Sequence, residues 1–176
     1  MPQKCRGVLD FAHPKYGEMN YEYDEVIYER EMIEMSVVEY RIMQNSDINE
    51  VLLFWEKIDG VHLHNNGEET YDAICSYLQR NPDLSFVAVF ESEIVGAVMC
   101  GHDGRRGYLN HLGVSSEYRH KGIAKELLNR VESELKKAGI KKEALFVLCN
   151  NTSAQEFYKH IGWKEESIVK VYTKIM

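Results

Sequence analysis

The sequence lacks long apolar runs, paired cysteines and an excess of basic residues. Its four cysteines, Cys5, Cys75, Cys100 and Cys149, form no CxxC pair, which argues against a metal cluster or a disulfide framework and favours reduced, mostly buried thiols. No run approaches the roughly 18 apolar residues of a membrane span, and the first residues lack the basic and apolar blocks of a signal peptide. We therefore expect a cytoplasmic protein with no membrane partner.

The balance of charge excludes a further class of partner. The formal net charge is -7, whereas general nucleic-acid binding depends on clustered Lys and Arg that neutralise phosphates. We therefore expect no nucleic-acid partner, and a neutral or cationic substrate suits the chain better. A hydrophobic content of 44% over 176 residues is enough to build one core.

Composition changes near residue 35. The first 35 residues contain four Tyr and eight acidic residues, and strand-like and helix-like segments alternate only after them. We therefore expect an N-terminal extension over 1–35 and one domain over 36–176. The Tyr and aliphatic side chains of the extension offer contact surface, so we expect it to be dispensable for chemistry and to contribute to a homodimer. With only three prolines and no low-complexity linker, the sequence leaves no place for a second domain.

Periodicity predicts a mixed α/β plan after residue 36. The expected elements are strand 37–43, helix 46–58, helix 70–80, strands 84–90 and 93–100, strand 108–114, helix 122–138, strand 144–149, helix 153–161 and a final strand within 167–176. Ser46 is placed to cap the first helix, and Glu91–Glu93 to form a tight hairpin turn. Strand 144–149 is apolar on both faces, which predicts burial between helices.

Residues 117–128, "EYRHKGIAKELL", combine a basic turn with the start of an amphipathic helix. The first-turn N–H groups of a helix have no intrahelical partner and carry the positive end of the helix dipole, so they bind anions. Arg119, His120 and Lys121 add charge at the same point, and Gly122 and Ala124 allow a bulky anion to approach the backbone. The pattern predicts a ligand with a pyrophosphate, and the alternative is an ordinary helix start with a solvated basic turn.

The spacing Arg119-x-x-Gly122-x-Ala124 resembles the R/Q-x-x-G-x-G/A acetyl-CoA signature of the GNAT N-acetyltransferase superfamily. A second pattern of that family, N-x-x-A-x-x-F/L-Y-x-x-x-G-F/W, is matched downstream by Asn151, Ala154, Phe157, Tyr158, Gly162 and Trp163. The resemblance extends from about Val37 to the C-terminus. Within the superfamily, residues 101–124 are similar to uncharacterised bacterial members and to ribosomal-protein alanine acetyltransferases.

The resemblance implies a GNAT-like acyl-CoA N-acyltransferase fold: a central mixed sheet splayed around acetyl-CoA, with helices on both faces. The opening is expected between the strand ending at Val114 and strand 144–149. The cofactor-binding residues so implied are Leu112, Val114, Arg119, His120, Lys121, Gly122, Ile123, Ala124, Asn151 and Tyr158. The backbone of Leu112 and Val114 would bind the pantetheine arm, and the catalytic residue Tyr158 would protonate the departing thiolate.

The implied reaction is direct attack of a primary amine, from a small molecule or a protein N-terminus, on acetyl-CoA in a ternary complex. An ammonium group must first lose a proton, and many relatives carry Glu for this where this sequence has Tyr108. The base therefore stays unassigned. Asn110 holding a water, Glu68, Glu69, His62, His64 and His111 are the candidates by residue type.

For several residues a role other than catalysis or metal binding is the alternative. His62 and His64 form an HxH pair without further ligands, so we predict no metal. His111 is expected to face a helix rather than the substrate, because its neighbours Asn110 and Leu112 point the opposite way in a regular strand. Cys149 is expected to pack in the core and not to act as a nucleophile, because no His or Asp lies at a spacing typical of the partners of a catalytic cysteine.

Two rival functions remain open from sequence. A non-catalytic acetyl-CoA-binding sensor or regulatory module would keep the pyrophosphate turn without turnover. A nucleotide-binding module would use the same helix start but lacks the G-x-x-x-x-G-K-[ST] sequence. For an enzyme, the acceptor is expected to enter between residues 59–71 and the hairpin Gly101–Gly107, where Asp59, Glu68, Glu69 and Asp103 would attract a cation, a solvated acidic loop being the alternative.

Overall fold

The computed structural model describes residues 37–61, 63 and 67–174, and the expected extension over 1–35 lies outside them. The strands are β1 (Glu39–Ile42), β2 (Phe86–Phe90), β3 (Glu93–His102), β4 (Gly107–Val114) and β5 (Glu143–Leu145). The helices are α1 (Ile48–Glu56), α2 (Tyr71–Arg80), α3 (Ile123–Lys137) and α4 (Thr152–His160). The prediction of a mixed α/β fold is confirmed.

One five-stranded sheet runs through the described residues in the order β1-β2-β3-β4-β5. The first four strands pair antiparallel, and β4 and β5 pair parallel. The β2–β3 turn has positive φ at both Glu91 (48°) and Ser92 (67°), as a two-residue primed turn requires. The hairpin predicted at these residues is therefore confirmed.

Helices cover both faces of the sheet, as the resemblance implied. On one face α3 buries Ile123, Leu127, Leu128, Val131 and Leu135 against the sheet, at the spacing of an amphipathic helix. On the other face α1 and α2 bury Ile48, Val51, Trp55 and Ile74. Each fully buried large apolar side chain stabilises the fold by roughly 1.5–3 kcal/mol, so packing on both faces holds the sheet in place.

The start of α1 differs from the prediction, because Asp47 and not Ser46 organises it. A short 3-10 turn, Asn45–Asp47, precedes the helix, and Ser46 is exposed. The buried Asp47 carboxylate accepts a hydrogen bond from the Gln44 N–H (2.8 Å) and two from the Arg41 guanidinium (2.6 and 2.9 Å). Charge-assisted, bidentate bonds are stronger than a hydroxyl cap, which explains why the chain turns at Asp47.

The region after α3 contains the largest departures from prediction. Strand 144–149 is reduced to the three residues of β5, and Phe146 and Leu148 are 69% and 46% exposed instead of buried. The strand expected within 167–176 is absent from the described residues 167–174, where Ile168 is 91% exposed. Apolar content alone does not make a strand, because a ladder needs a paired neighbour, and β5 pairs with β4 over only three residues.

Glu143, the first residue of β5, carries a carboxylate in an unusual environment. Its Oε2 atom is buried and has no hydrogen-bond partner among the described residues. Burial, followed by the charge of Glu132, raises the pKa of Glu143 to about 7. The folded protein therefore binds this proton more tightly than the unfolded chain does, and stability falls as pH rises from about 4.5 to about 7.

We predict that Glu143→Gln stabilises the protein at pH 8 and has little effect at pH 4.5. Gln carries no charge that must be buried at high pH, and the gain should be roughly 1–2 kcal/mol after allowance for the partial exposure of the site. Urea unfolding at the two pH values measures it. Glu156→Gln, on an exposed residue of α4, is the matched control, and an equal effect of both variants would contradict the prediction.

Candidate active site

The sheet opens between β4 and β5. The parallel ladder joins only Gly107–Leu109 to Glu143–Leu145, so β4 has a free edge from Asn110 onward. On its other side β4 stays paired with β3, with a register shift: Ala97 lies opposite Gly113 and Met99 opposite Asn110. Two residues of β4 thus face one of β3, and one of them, His111, has φ 49°. This β-bulge lies where the sheet opens.

The free edge of β4 presents backbone groups towards the opening. The Ser115 N–H donates to the Val95 carbonyl (2.9 Å) across the β3 side. Backbone groups alternate in direction along a strand, so Val114, and by the same alternation Leu112, direct N–H and C=O away from β3. This is the geometry that strand-like pairing with an extended ligand requires.

The chain then passes from β4 through a tight turn into α3. Gly122 is the N-terminal cap of α3 with φ 85°, and no side chain caps the helix there. His120 also has positive φ (61°), and His120, Lys121 and Gly122 are exposed. Ile123 is buried and anchors the first turn in the core, while Ala124 is half-buried. The uncapped N–H groups of the first turn of α3 are therefore accessible to a ligand, and such groups suit an anion.

The basic side chains of this turn are ordered by the protein itself. Arg119 Nε donates to the Val114 carbonyl (3.2 Å), which ties the turn to the end of β4. Lys121 Nζ lies 4.8 Å from the centre of the Tyr118 ring, a cation–π distance. Arg119 thus supports the turn through a backbone contact, while both side chains keep positive charge close to the start of α3.

The opposite wall of the opening is formed by α4. Asn151 caps this helix, its Oδ1 accepting from the Ala154 N–H (3.1 Å). A side chain at Gly60 would overlap the Asn151 amide, and one at Gly113 would lie 3.2 Å from Ile58. The segment that follows α1 therefore contacts both β4 and α4 and spans the opening between them.

Tyr158 lies on α4 in an aromatic group with Phe157 and Trp163, at ring-centre distances of 5.2 and 5.6 Å. Burial raises the pKa of Tyr158 to about 12. Its phenol therefore keeps its proton at neutral pH, which suits a hydrogen-bond or proton donor and excludes a phenolate base.

On the α1 and α2 side of β4, the bulge brings two polar pairs together. His111 Nε2 lies 3.4 Å from Glu69 Oε1, and its ring packs 5.0 Å from Trp55 of α1. Asn110 donates its side-chain amide to the Tyr77 hydroxyl of α2 (3.1 Å). The prediction that His111 faces a helix is confirmed, but the reasoning from alternation was wrong, because the bulge places Asn110 and His111 on the same side.

Tyr77 is a polar site residue that the sequence analysis missed. Burial raises its pKa above the ordinary value, so the phenol stays protonated. It accepts the hydrogen bond that Asn110 was expected to give to a water. The available signal was its position on the buried face of α2, four residues before the buried Asn81, where an aromatic hydroxyl needs a partner.

Other expected positions lie elsewhere. The Asp103 carboxylate accepts from the N–H groups of Arg105 and Arg106 (2.8 and 2.7 Å) and so stabilises its own turn. This turn precedes Gly107, three residues and about 10 Å along β4 from the start of the opening at Asn110, at a strand rise of about 3.4 Å per residue. The structure brings Glu69 to His111 at the opening, whereas the Asp103 carboxylate stays within its own turn.

Three further candidates have plain outcomes. Cys149 is exposed, so the prediction that it packs in the core was wrong. His62 and His64 lie outside the described residues. Within the described residues no three His, Cys, Asp or Glu side chains cluster as metal ligands would, and no helix there is long and apolar enough to cross a membrane.

A mixed sheet that opens beside an uncapped helix start is the arrangement that the resemblance to the GNAT superfamily implied, and comparison with known proteins agrees. The model of the acetyltransferase (GNAT) family matches residues 50–163. Acetyltransferase SG1711 of Sodalis glossinidius is 33% identical over 137 residues, covering 78% of this chain and 94% of the relative. The chain belongs to the GNAT acetyltransferase family and is an N-acetyltransferase by class.

Solved structures share the fold. The PaiA N-acetyltransferase of Thermoplasma acidophilum, in complex with coenzyme A, superposes with a TM-score of 0.66 at 22% identity over 74% of this chain and 91% of that one. The ribosomal-protein-S18-alanine N-acetyltransferase of Escherichia coli gives 0.60 at 16% identity over 74% and 80%. At these identities the likeness concerns the fold.

We predict that Gly60→Ala is more destabilising than Gly67→Ala. Both glycines have φ near 90° (88° and 91°), so each substitution carries a backbone cost of about 1–2 kcal/mol. A methyl group at residue 67 meets nothing within 4 Å, whereas at residue 60 it overlaps Asn151, which should add roughly 1–3 kcal/mol. Urea unfolding measures the difference, and equal losses would show that the segment after α1 does not contact α4.

Proposed function

We propose that this protein transfers the acetyl group of acetyl-CoA to a primary amine by direct attack in a ternary complex. The observation that carries the proposal is the continuity of one path: the free edge of β4 leads straight into the uncapped start of α3, opposite Asn151 and Tyr158. Nothing in this path requires a covalent acetyl-enzyme, because thioester and amine can meet in the opening.

The described residues fit acetyl-CoA as cosubstrate. The backbone of Leu112 and Val114 would pair with the pantetheine arm, as a further strand pairs with a sheet edge. The pyrophosphate oxygens would accept hydrogen bonds from the backbone N–H groups of His120–Ala124. Each such charge-assisted bond would contribute about 1.5–3 kcal/mol. Asn151 would reach the amide region of the arm. Coenzyme A in the PaiA structure supports this assignment.

The acceptor is a primary amine, either a small molecule or a peptide N-terminus. The net charge of -7 favours a cation, and Asp59, Glu68 and Glu69 lie on the segment between α1 and α2, beside the opening. The likeness to an enzyme named for the alanine of a ribosomal protein supports a peptide N-terminus as one class. A thiol-release assay across polyamines, amino acids, aminoglycosides and N-terminal peptides tests the proposal, and no thiol release with any of them would refute it.

The remaining parts of the proposal concern the whole chain. Residues 1–35 form an extension that is dispensable for chemistry and contributes to a homodimer, and residues 36–176 form the catalytic domain. The proposed location is the cytoplasm, and scattered cysteines of the kind expected for reduced thiols support it. Light scattering of a chain starting at Met35 tests the first part, because the mass should fall while acetyl-CoA binding persists.

We predict that Gly122→Ala weakens acetyl-CoA binding at least about tenfold, equivalent to about 1.4 kcal/mol. A methyl group there meets nothing within 4 Å, so packing is not disturbed, but the left-handed conformation that aims the first-turn amides is penalised. Gly139→Ala is the control, because Gly139 ends the same helix with φ 78° and equal space. Calorimetry should show weaker binding only for residue 122, and unchanged binding there would move the pyrophosphate site elsewhere.

We predict that Tyr158→Phe lowers the single-turnover rate of acetyl transfer by about 10²–10⁴-fold, while the dissociation constant of acetyl-CoA changes little. The phenol stabilises the departing thiolate, a charge that the bound thioester lacks, and Phe keeps the ring in its aromatic group. Rapid-quench measurement with saturating amine separates this step from product release.

The matched control for that variant is Tyr172→Phe, since Tyr172 is 87% exposed and should leave the rate unchanged. A wild-type single-turnover rate in Tyr158→Phe would make Tyr158 a packing residue and leave protonation of the thiolate to water.

A further inference from the structure

Acetyl transfer to an amine needs a group that takes up a proton, and the residues assigned so far do not supply one. Tyr108 stands where many relatives carry Glu, and Tyr77 and Tyr158 hold their protons because burial raises the pKa of each. We propose that His111, held by Glu69 at the β4 bulge, is the general base that accepts the proton of the attacking amine. This inference rests on the proposed acetyl transfer.

The pair is built into the fold. His111 and Glu69 side chains are only 17% and 8% exposed, with 3.4 Å between Nε2 and Oε1. A buried carboxylate beside an imidazole orients the ring and stabilises the imidazolium that proton uptake creates. The ring is held from another side by Trp55 at 5.0 Å. These contacts fix His111 from α1 and from the residues just before α2, so its orientation does not depend on a mobile surface rotamer.

The His111–Glu69 pair lies at the opening between β4 and β5. His111 lies two residues beyond Leu109, the last residue of β4 that pairs with β5, and one residue before Leu112, whose backbone faces the expected thioester. Its φ of 49° lies in the left-handed region, which few non-glycine residues adopt and His adopts more often than most, and such positions recur at functional sites. Next to it, Trp55 Nε1 is buried and has no acceptor among the described residues.

The other candidates fit less well. The Asn110 amide is no base at neutral pH and is bonded to Tyr77. The Asp103 carboxylate is engaged in its own turn. Glu143, the remaining partly buried carboxylate with a raised pKa, faces Gly107 at the closed end of the β4–β5 ladder. Of the described residues considered, His111 is an imidazole that lies at the opening with a carboxylate beside it.

The proton balance is simple. The ammonium form of the acceptor gives one proton to the His111 imidazole, which passes it to solvent, and the free amine attacks the thioester carbonyl. The N–C bond forms, His111 takes the second proton from nitrogen and releases it to solvent, and the C–S bond breaks with the electron pair leaving on sulfur. The thiolate takes a proton from the Tyr158 phenol, which regains one from solvent. The net products are the amide, CoA thiol and one released proton.

The experiment compares His111→Asn and His111→Gly, two substitutions that tolerate positive φ, with His160→Gln as control on an exposed histidine of α4. Single-turnover acetyl transfer is measured with the amine that gives the fastest thiol release in the panel above. Both His111 variants should lose about 10²–10⁴-fold in rate, with the acetyl-CoA dissociation constant and the thermal midpoint close to wild type. Added imidazole should restore part of the rate of His111→Gly and none of that of His111→Asn, whose side chain fills the space.

Glu69→Gln keeps the shape of the pair without its charge and should lower the rate about tenfold, as a positioning residue would, with unchanged acetyl-CoA binding. Wild-type rates in the His111 variants would overturn the proposal. So would a loss that imidazole does not relieve and that accompanies weaker acetyl-CoA binding, which would make His111 structural. A wild-type protein that acetylates no amine while binding acetyl-CoA refutes the proposed function instead, and the two failures are therefore distinct.

Discussion

β4 is paired with β3 along its length but with β5 over only three residues, and the candidate site depends on that inequality. If β4 were paired with β5 along its whole length, its backbone groups would be hydrogen-bonded to β5 and no edge would remain for a ligand. Because the ladder stops at Leu109, the groups of Leu112 and Val114 face an opening, and the next turn delivers the start of α3 to the same place. The far wall can then be made by α4, whose first residues follow the short β5.

Packing explains why the opening does not close. Each additional ladder hydrogen bond would stabilise the protein by only about 0.5–1.5 kcal/mol, whereas Trp55 and Leu127 are fully buried on the two faces and each is worth roughly 1.5–3 kcal/mol. Trp55 at the end of α1 and Ile58 just after it pack against Gly113 of β4, where any side chain would crowd them. If β4 moved towards β5, the protein would gain a few ladder hydrogen bonds but would lose these packing contacts, which stabilise it more.

The sequence predicted the parts of this arrangement that depend on local periodicity and missed those that depend on pairing. The helices and the hairpin at Glu91 and Ser92 follow from local signals. The length of β5, the exposure of Phe146 and the bulge at His111 depend on which strand lies alongside, and no local pattern records that. The bulge matters most for function, because it changes which side of the sheet His111 and Asn110 share.

The same geometry separates the two groups that the proposed reaction would use to give and to take up a proton. Tyr158 lies among aromatic rings on α4, where burial favours the neutral phenol, raises its pKa to about 12 and keeps a proton available for a thiolate. His111 lies beside the Glu69 carboxylate on the α1 and α2 side of β4, and the carboxylate orients the imidazole. A site that handles an acid and a base at one pH needs different surroundings for the two groups. In the proposed reaction the opening between β4 and β5 would hold the thioester between these two surroundings.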